Sequence, residues 1–260
     1  MSVPAFTLAL RLRLTTTASA ALGLIAVMIL VGALFPAVGG SIGKLNLPKG
    51  ATDLLGGADY GTITGWYRSE IGSVYGPLVI GSVAIMAASG STAGEEDDRI
   101  LGLVLAQPVT RARLVLGKAA AAAVSVLLVA LATWVGLVVG VAVAGGGISV
   151  GDMAALSVHL AFFGFATGAV ALALGAGTGR RGLATGIAAG VGILGYLING
   201  LAPLVDAMAW LRFLSPFYYY AGQDPLARGV DVADLAALAA ITAVLTGLAV
   251  IGIRRRDLRG

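Results

Sequence analysis

The sequence contains no cysteine and a single histidine, His159. The first absence excludes a disulfide framework, a thiolate metal site and a thiol nucleophile. The second leaves little for metal ligation or acid–base chemistry. Charge is also scarce. Asp, Glu, Lys and Arg make up 12% of the 260 residues, about half the share usual in soluble domains. No complete GxxxxGK[ST] stretch occurs, since Gly43-Lys44 and Gly117-Lys118 lack the rest of it. The chain is therefore expected to bind no nucleotide through a P-loop. What is abundant is apolar: 58% of residues are hydrophobic and the mean hydropathy is +0.95. That balance places the chain in a bilayer. The 39 glycines suit helices that approach closely in lipid.

A helix needs about 20 apolar residues to cross the hydrocarbon core. Six runs meet this length, at about 18–38, 71–92, 114–144, 153–178, 183–204 and 234–253. The expected fold is all-α: a single transmembrane domain over 1–260, with a connecting loop at 93–113 and an outer segment at 204–233. With both termini inside, the inner segments hold Arg11, Arg13, Arg99, Arg111, Arg113, Lys118, Arg180, Arg181, Arg254, Arg255, Arg256 and Arg259, twelve of the 17 cations. This bias predicts cytoplasmic termini in a multi-pass cell-membrane protein, with a prokaryotic source expected. It also accounts for the pI near 9.6 without a nucleic-acid partner. Arg11 and Arg13 precede an apolar run longer than a signal core, so the first run reads as a retained span. Residues 3–14 are expected along the inner interface.

The most polar stretch is GEEDDRILGLVLAQPVTRARLVLGK, residues 94–118. Its acids sit where a short helix would begin, favoured by the helix dipole. Pro108 ends that helix, and Thr110 can cap the third span. The stretch reads either as a charged loop that fixes topology or as a short helix turned back by proline, placed to pass a push from a soluble partner into the membrane.

Two other patterns carry candidate residues. Trp66, Tyr67, Trp210, Phe213, Phe217, Tyr218 and Tyr219 fall near the outer ends of spans. They fit an interfacial belt, or a gate at the outer end of a pathway. Gly182, Gly186 and Gly190 repeat every four residues in the fifth span, and Gly164 and Gly168 do so in the fourth. Such spacing serves helix packing within one chain or between two. Asn199 is expected to hydrogen-bond to a neighbouring helix.

The polar stretch resembles the cytoplasmic loop of permease subunits in type-2 ABC exporters. The resemblance rests on Gly94-Glu95, Asp97, Leu101, the run Leu103–Leu105, the run Ala106-Gln107-Pro108-Val109-Thr110-Arg111 and Gly117-Lys118. Arg99-Ile100 stand where that family has Gly-Thr. LSPFYYYAGQDPLARG (214–229) is similar to the family's segment before the last span, and RRRDL (254–258) to its closing motif. The resemblance implies an exporter half whose loop docks on a separate ATPase subunit. Glu95, Glu96, Asp97, Asp98, Arg99, Gln107, Pro108 and Arg111 would then form the contact. It also implies short re-entrant helices before the last span, two ATPase copies carrying ATP and Mg, and a second permease chain, identical or related. The chain itself would bind no cofactor and catalyse nothing.

The span interiors are read as free of acids and bases, with Glu70, Asp152 and Asp234 at ends. That favours a drug, lipid or peptide cargo over ion coupling. An ion-coupled secondary transporter and a non-transporting structural subunit remain the alternatives. An intramembrane enzyme is a further rival. Ser157 and His159 are two apart on a helix and point in different directions, and no nucleophile elbow is expected.

Overall fold

An unpaired backbone group in hydrocarbon costs several kcal/mol, so each apolar run closes its own hydrogen bonds as a helix. The computed structural model describes residues 13–42, 59–97, 110–222 and 224–256, together with 7, 10 and 11. Six of its helices are long and apolar enough to span a membrane. They are α1 (Leu14–Ile42), α2 (Ile63–Ser89), α3 (Arg111–Val143), α4 (Val150–Thr178), α5 (Arg181–Leu201) and, after two short helices, α8 (Val232–Arg255).

Local chemistry sets most boundaries. The Thr110 hydroxyl accepts from the Arg113 amide and caps α3. Ser149 caps α4 through the Asp152 amide, and Asp231 caps α8 through Asp234. Gly145, Gly146 and Gly147, all at positive φ, turn the chain from α3 to α4. That conformation suits only residues without a Cβ.

Helix α2 starts at Ile63, well before the expected 71. The polar residues that hid its start are accommodated by tertiary contacts: Arg68 forms an ion pair with Asp224 at 2.6 Å. Residues Arg68–Tyr75 of α2 are π-helical, as are Gly90–Gly94 just beyond it, before a last turn at Glu95–Asp97. Widened turns of this kind are frequent at functional sites.

Between α5 and α8 the chain makes 3-10 turns at Ala202–Leu204 and Asp206–Leu214, then α6 (Pro216–Ala221) and α7 (Pro225–Arg228). Helix α4 is central, packed against α2, α3, α5 and α8. In its most apolar window 67% of residues are buried, against 17% in α5 and in α8. Helices α5 and α8 therefore present most of their surface to lipid or to another chain. Helices α1 and α3 cross backbone to backbone: a Cβ on Gly32 would stand 2.1 Å from the Gly140 carbonyl oxygen.

Candidate functional site

One end of each of the six long helices lies around the start of the loop. Lys118, 1% exposed, is more than a turn inside α3. Its ammonium donates to the Glu95 carboxylate and to the Ser91 carbonyl, so the buried charge has two acceptors. Glu96 takes both guanidinium nitrogens of Arg256, one at 3.0 Å, at the end of α8. Arg111 donates to the carbonyls of Ile253 and Arg256, at 3.1 and 2.8 Å. Arg13 donates to the Met86 carbonyl at 2.6 Å, fastening α1 to α2. Burial lowers the Arg13 pKa from its usual value; the Glu95 carboxylate opposes that and Arg181 adds to it. Gly179 ends α4 in the left-handed region at φ +65°, and a Cβ there would stand 1.7 Å from an Arg256 nitrogen. The missing side chain leaves a notch in which the Glu96–Arg256 pair sits.

Several residues of the expected ATPase contact have partners within this chain. Glu95 and Glu96 are buried, and with Arg111 they bind groups of their own chain. Desolvated carboxylates beside cations are held by them. Asp97 belongs to the last described turn. Asp98, Arg99, Gln107 and Pro108 lie outside the described residues, as does most of the expected interfacial stretch 3–14. The reading of charge-free span interiors is corrected at Lys118, which sits within α3. Sequence reasoning took Lys118 and Arg256 for topology signals and missed them as partners. The available signal was a lysine seven residues past Arg111 on a helix, too deep to snorkel freely.

At the other end the aromatic residues divide. Trp66 and Tyr67 are buried and donate to the Val31 and Met28 carbonyls of α1, each at 2.9 Å. They bind α1 to α2 and form no interfacial belt. Phe217 is also buried, edge-on to Phe163 and Tyr196. Tyr220, fully buried, donates to the Gly72 carbonyl at 2.6 Å. Helix α6 thus wedges into the bundle against the π-helical part of α2. Tyr218 and Tyr219 are half-buried, and Trp210 is exposed, as a belt residue would be. Asp224, the residue that pairs with Arg68, is the one described non-glycine residue at positive φ.

The candidate catalytic groups are committed elsewhere. The Ser157 hydroxyl donates to the Met153 carbonyl, and His159 Nε2 accepts from the Asp231 amide at 3.1 Å. The GISVG stretch at 147–151 does have the spelling of a nucleophile elbow, against expectation. Its serine, Ser149, is the cap of α4 and hydrogen-bonds to Asp152 at 2.6 Å, with no strand before it.

The two glycine repeats have opposite roles. A Cβ on Gly164 would press on Val126 and Ile80, and one on Gly168 on Ala84. This repeat packs α4 against α2 and α3. Around Gly182, Gly186 and Gly190 nothing lies within 4 Å, so that face of α5 is open. Asn199, more than two turns further along α5 than Gly190, is half-buried, and among the described residues its side chain hydrogen-bonds to no other helix. Next to this face, a cleft of about 310 Å³ opens between α2, α4, α5 and α6. Its walls include Val74, Pro77, Phe163 and Tyr196, with hydroxyls from Ser82 and Thr167 and, among the described residues, no charged one.

No curated protein matches the chain. A family model does: the one described as multidrug efflux system permease Rv1217c, C-terminal domain, matches residues 4–254. Six membrane-length helices and a match over almost the whole chain agree that this is a transport permease, and it belongs to the family of the Rv1217c multidrug efflux permease C-terminal domain.

Proposed function

We propose that this permease is the membrane half of an ATP-driven exporter of the type-2 ABC kind, with a separate ATPase docked on the connector between α2 and α3. The observation that carries the reading is the anchoring of that connector. Its first turn is tied to α3 and α8 by two ion pairs, and its far end to α8 by Arg111. A push on residues 98–109 therefore reaches several helices at once. In this reading the ATPase, in two copies, supplies ATP and Mg chemistry, and Asp97, Asp98, Arg99, Gln107 and Pro108 make the contact. The termini face the cytoplasm, and the cell membrane is the site of action.

The cargo is amphipathic or hydrophobic. The cleft beside α5 is apolar with a few hydroxyls, the lining such a molecule needs. An ion-coupled mechanism would place an unpaired ionisable group near the midplane, whereas Lys118 sits at the inner end, already neutralised by Glu95. A second permease chain completes the pathway along α5, where Gly182, Gly186 and Gly190 leave room for a backbone.

Purification from the native membrane in mild detergent tests the docking. The expected result is a co-purifying ATPase, lost in Asp97→Lys/Asp98→Lys while the permease still inserts. Pro108→Ala is expected to keep the ATPase but uncouple hydrolysis from transport. Retention of the ATPase with full transport in both variants would overturn the reading. For the α5 face, Gly186→Trp is expected to leave a folded monomer that no longer cross-links to a second permease chain. Undiminished cross-linking would move the interface elsewhere.

A further inference from the structure

The ion pair between Glu96 and Arg256 joins residues 160 positions apart and has features that the Glu95–Lys118 pair lacks. Lys118 is inside α3, held by two acceptors, and its partner lies just across the connector. Arg256 comes one residue after α8 ends, on extended backbone. Its side chain is 17% exposed, and its buried Nε–H has no acceptor among the described residues. An unmatched buried donor carries a cost that another arrangement can release. Helix α8 itself is lightly embedded, so the grip at its inner end matters more than it would for α4.

We propose that Arg256 is a positioning residue that passes displacement of the connector to α8. The inference rests on the docking reading above and adds the route. Three contacts define it. Glu96 at the connector's first turn holds the guanidinium by two hydrogen bonds. Arg111 at the connector's far end holds the Arg256 carbonyl. Gly179 leaves the space in which the guanidinium moves past the end of α4. Both ends of the connector therefore grip the residue that closes α8, and the neighbouring element at that point has no side chain to obstruct it. A bidentate arginine–carboxylate pair transmits direction as well as force, because two parallel hydrogen bonds fix its orientation.

The cysteine-free chain allows single labels. Spin labels at Leu248→Cys on α8 and Leu127→Cys on α3, both exposed, report movement of α8 in the permease–ATPase assembly reconstituted in nanodiscs. The separation is measured without nucleotide and after trapping with ATP, Mg and vanadate. The expected result is a shift in the unaltered pair. Arg256→Gln and Glu96→Gln should each reduce the shifted fraction about fivefold or more while the ATPase stays bound. The exchange Glu96→Arg/Arg256→Glu should restore part of it, which a merely structural role would not predict. Arg256→Lys keeps the charge without the fork and serves if the Gln variants fold poorly; it should reduce the shift to an intermediate value. A shift unchanged in Arg256→Gln or Arg256→Lys, or no shift in the unaltered assembly, overturns the route while leaving ATPase docking intact. A permease that carries no ATPase overturns both.

Discussion

Glu95→Gln is expected to destabilise the permease by about 3–5 kcal/mol, the usual cost of removing one partner from a buried ion pair. The variant leaves the Lys118 ammonium 1% exposed with no counter-charge, its remaining acceptors being the Ser91 carbonyl and a neutral amide oxygen. It also leaves two cations close together, since Arg13 acts on Lys118 as a like charge. The reverse truncation, Lys118→Met, should cost less. Glu95 then keeps the nearby Arg13, which already feels its carboxylate, and methionine fills the volume. Removing both charges in Glu95→Gln/Lys118→Met should recover most of the loss, because neither group is then stranded. Thermal unfolding in one detergent, followed by the monodisperse fraction, gives the double-mutant cycle. Equal costs for the two single variants would deny Arg13 its place in the cluster. Additive costs would deny the pair itself.

The same cluster shows where a sequence is readable and where it is not. The apolar runs announced six helices, because hydrocarbon length and backbone satisfaction dictate them locally. Thr110 was legible as a cap because capping acts within one turn. The partners of Glu95 and Glu96 were not legible. Their acids looked like a solvated run, and the cations that bury them come from α3 and from the far end of the chain. Trp66 and Tyr67 had the right composition for an interfacial belt, but the carbonyls of Val31 and Met28 are found by tertiary packing, not by spacing. The start of α2 was hidden for a related reason, since Arg68 is charged in sequence yet paired in the fold. The glycine repeats mark a physical limit. Lipid is as apolar as a helix neighbour, so one spacing serves both a packed face, at Gly164 and Gly168, and an open one, at Gly182, Gly186 and Gly190. Hydropathy cannot separate them.

The crossing of α1 and α3 carries the second large effect. Gly140→Ala would set a Cβ 2.4 Å from the Met28 carbonyl oxygen and 2.4 Å from the Tyr67 hydroxyl. Overpacking usually costs about 1–3 kcal/mol. Here one of the obstructing atoms is backbone, which no rotamer change can move, so the cost should reach the top of that range or exceed it. The clash also threatens the bond from Tyr67 to Met28, worth about 1 kcal/mol. Gly140→Ala should therefore lower the unfolding midpoint clearly, whereas Gly182→Ala and Gly186→Ala, open on α5, should leave the monomer's midpoint nearly unchanged. Tyr67→Phe separates the two parts of the effect. Alone it removes one hydrogen bond. Combined with Gly140→Ala it removes one of the two obstructions, so the pair should cost less than the sum of the singles. Strict additivity would mean that α1 simply moves away from α3 as a body, and the hydroxyl would then have no part in holding the crossing. Sub-additivity would place the Tyr67 hydroxyl at the crossing itself, joining α1, α2 and α3 at a point where neither glycine tolerates a methyl group.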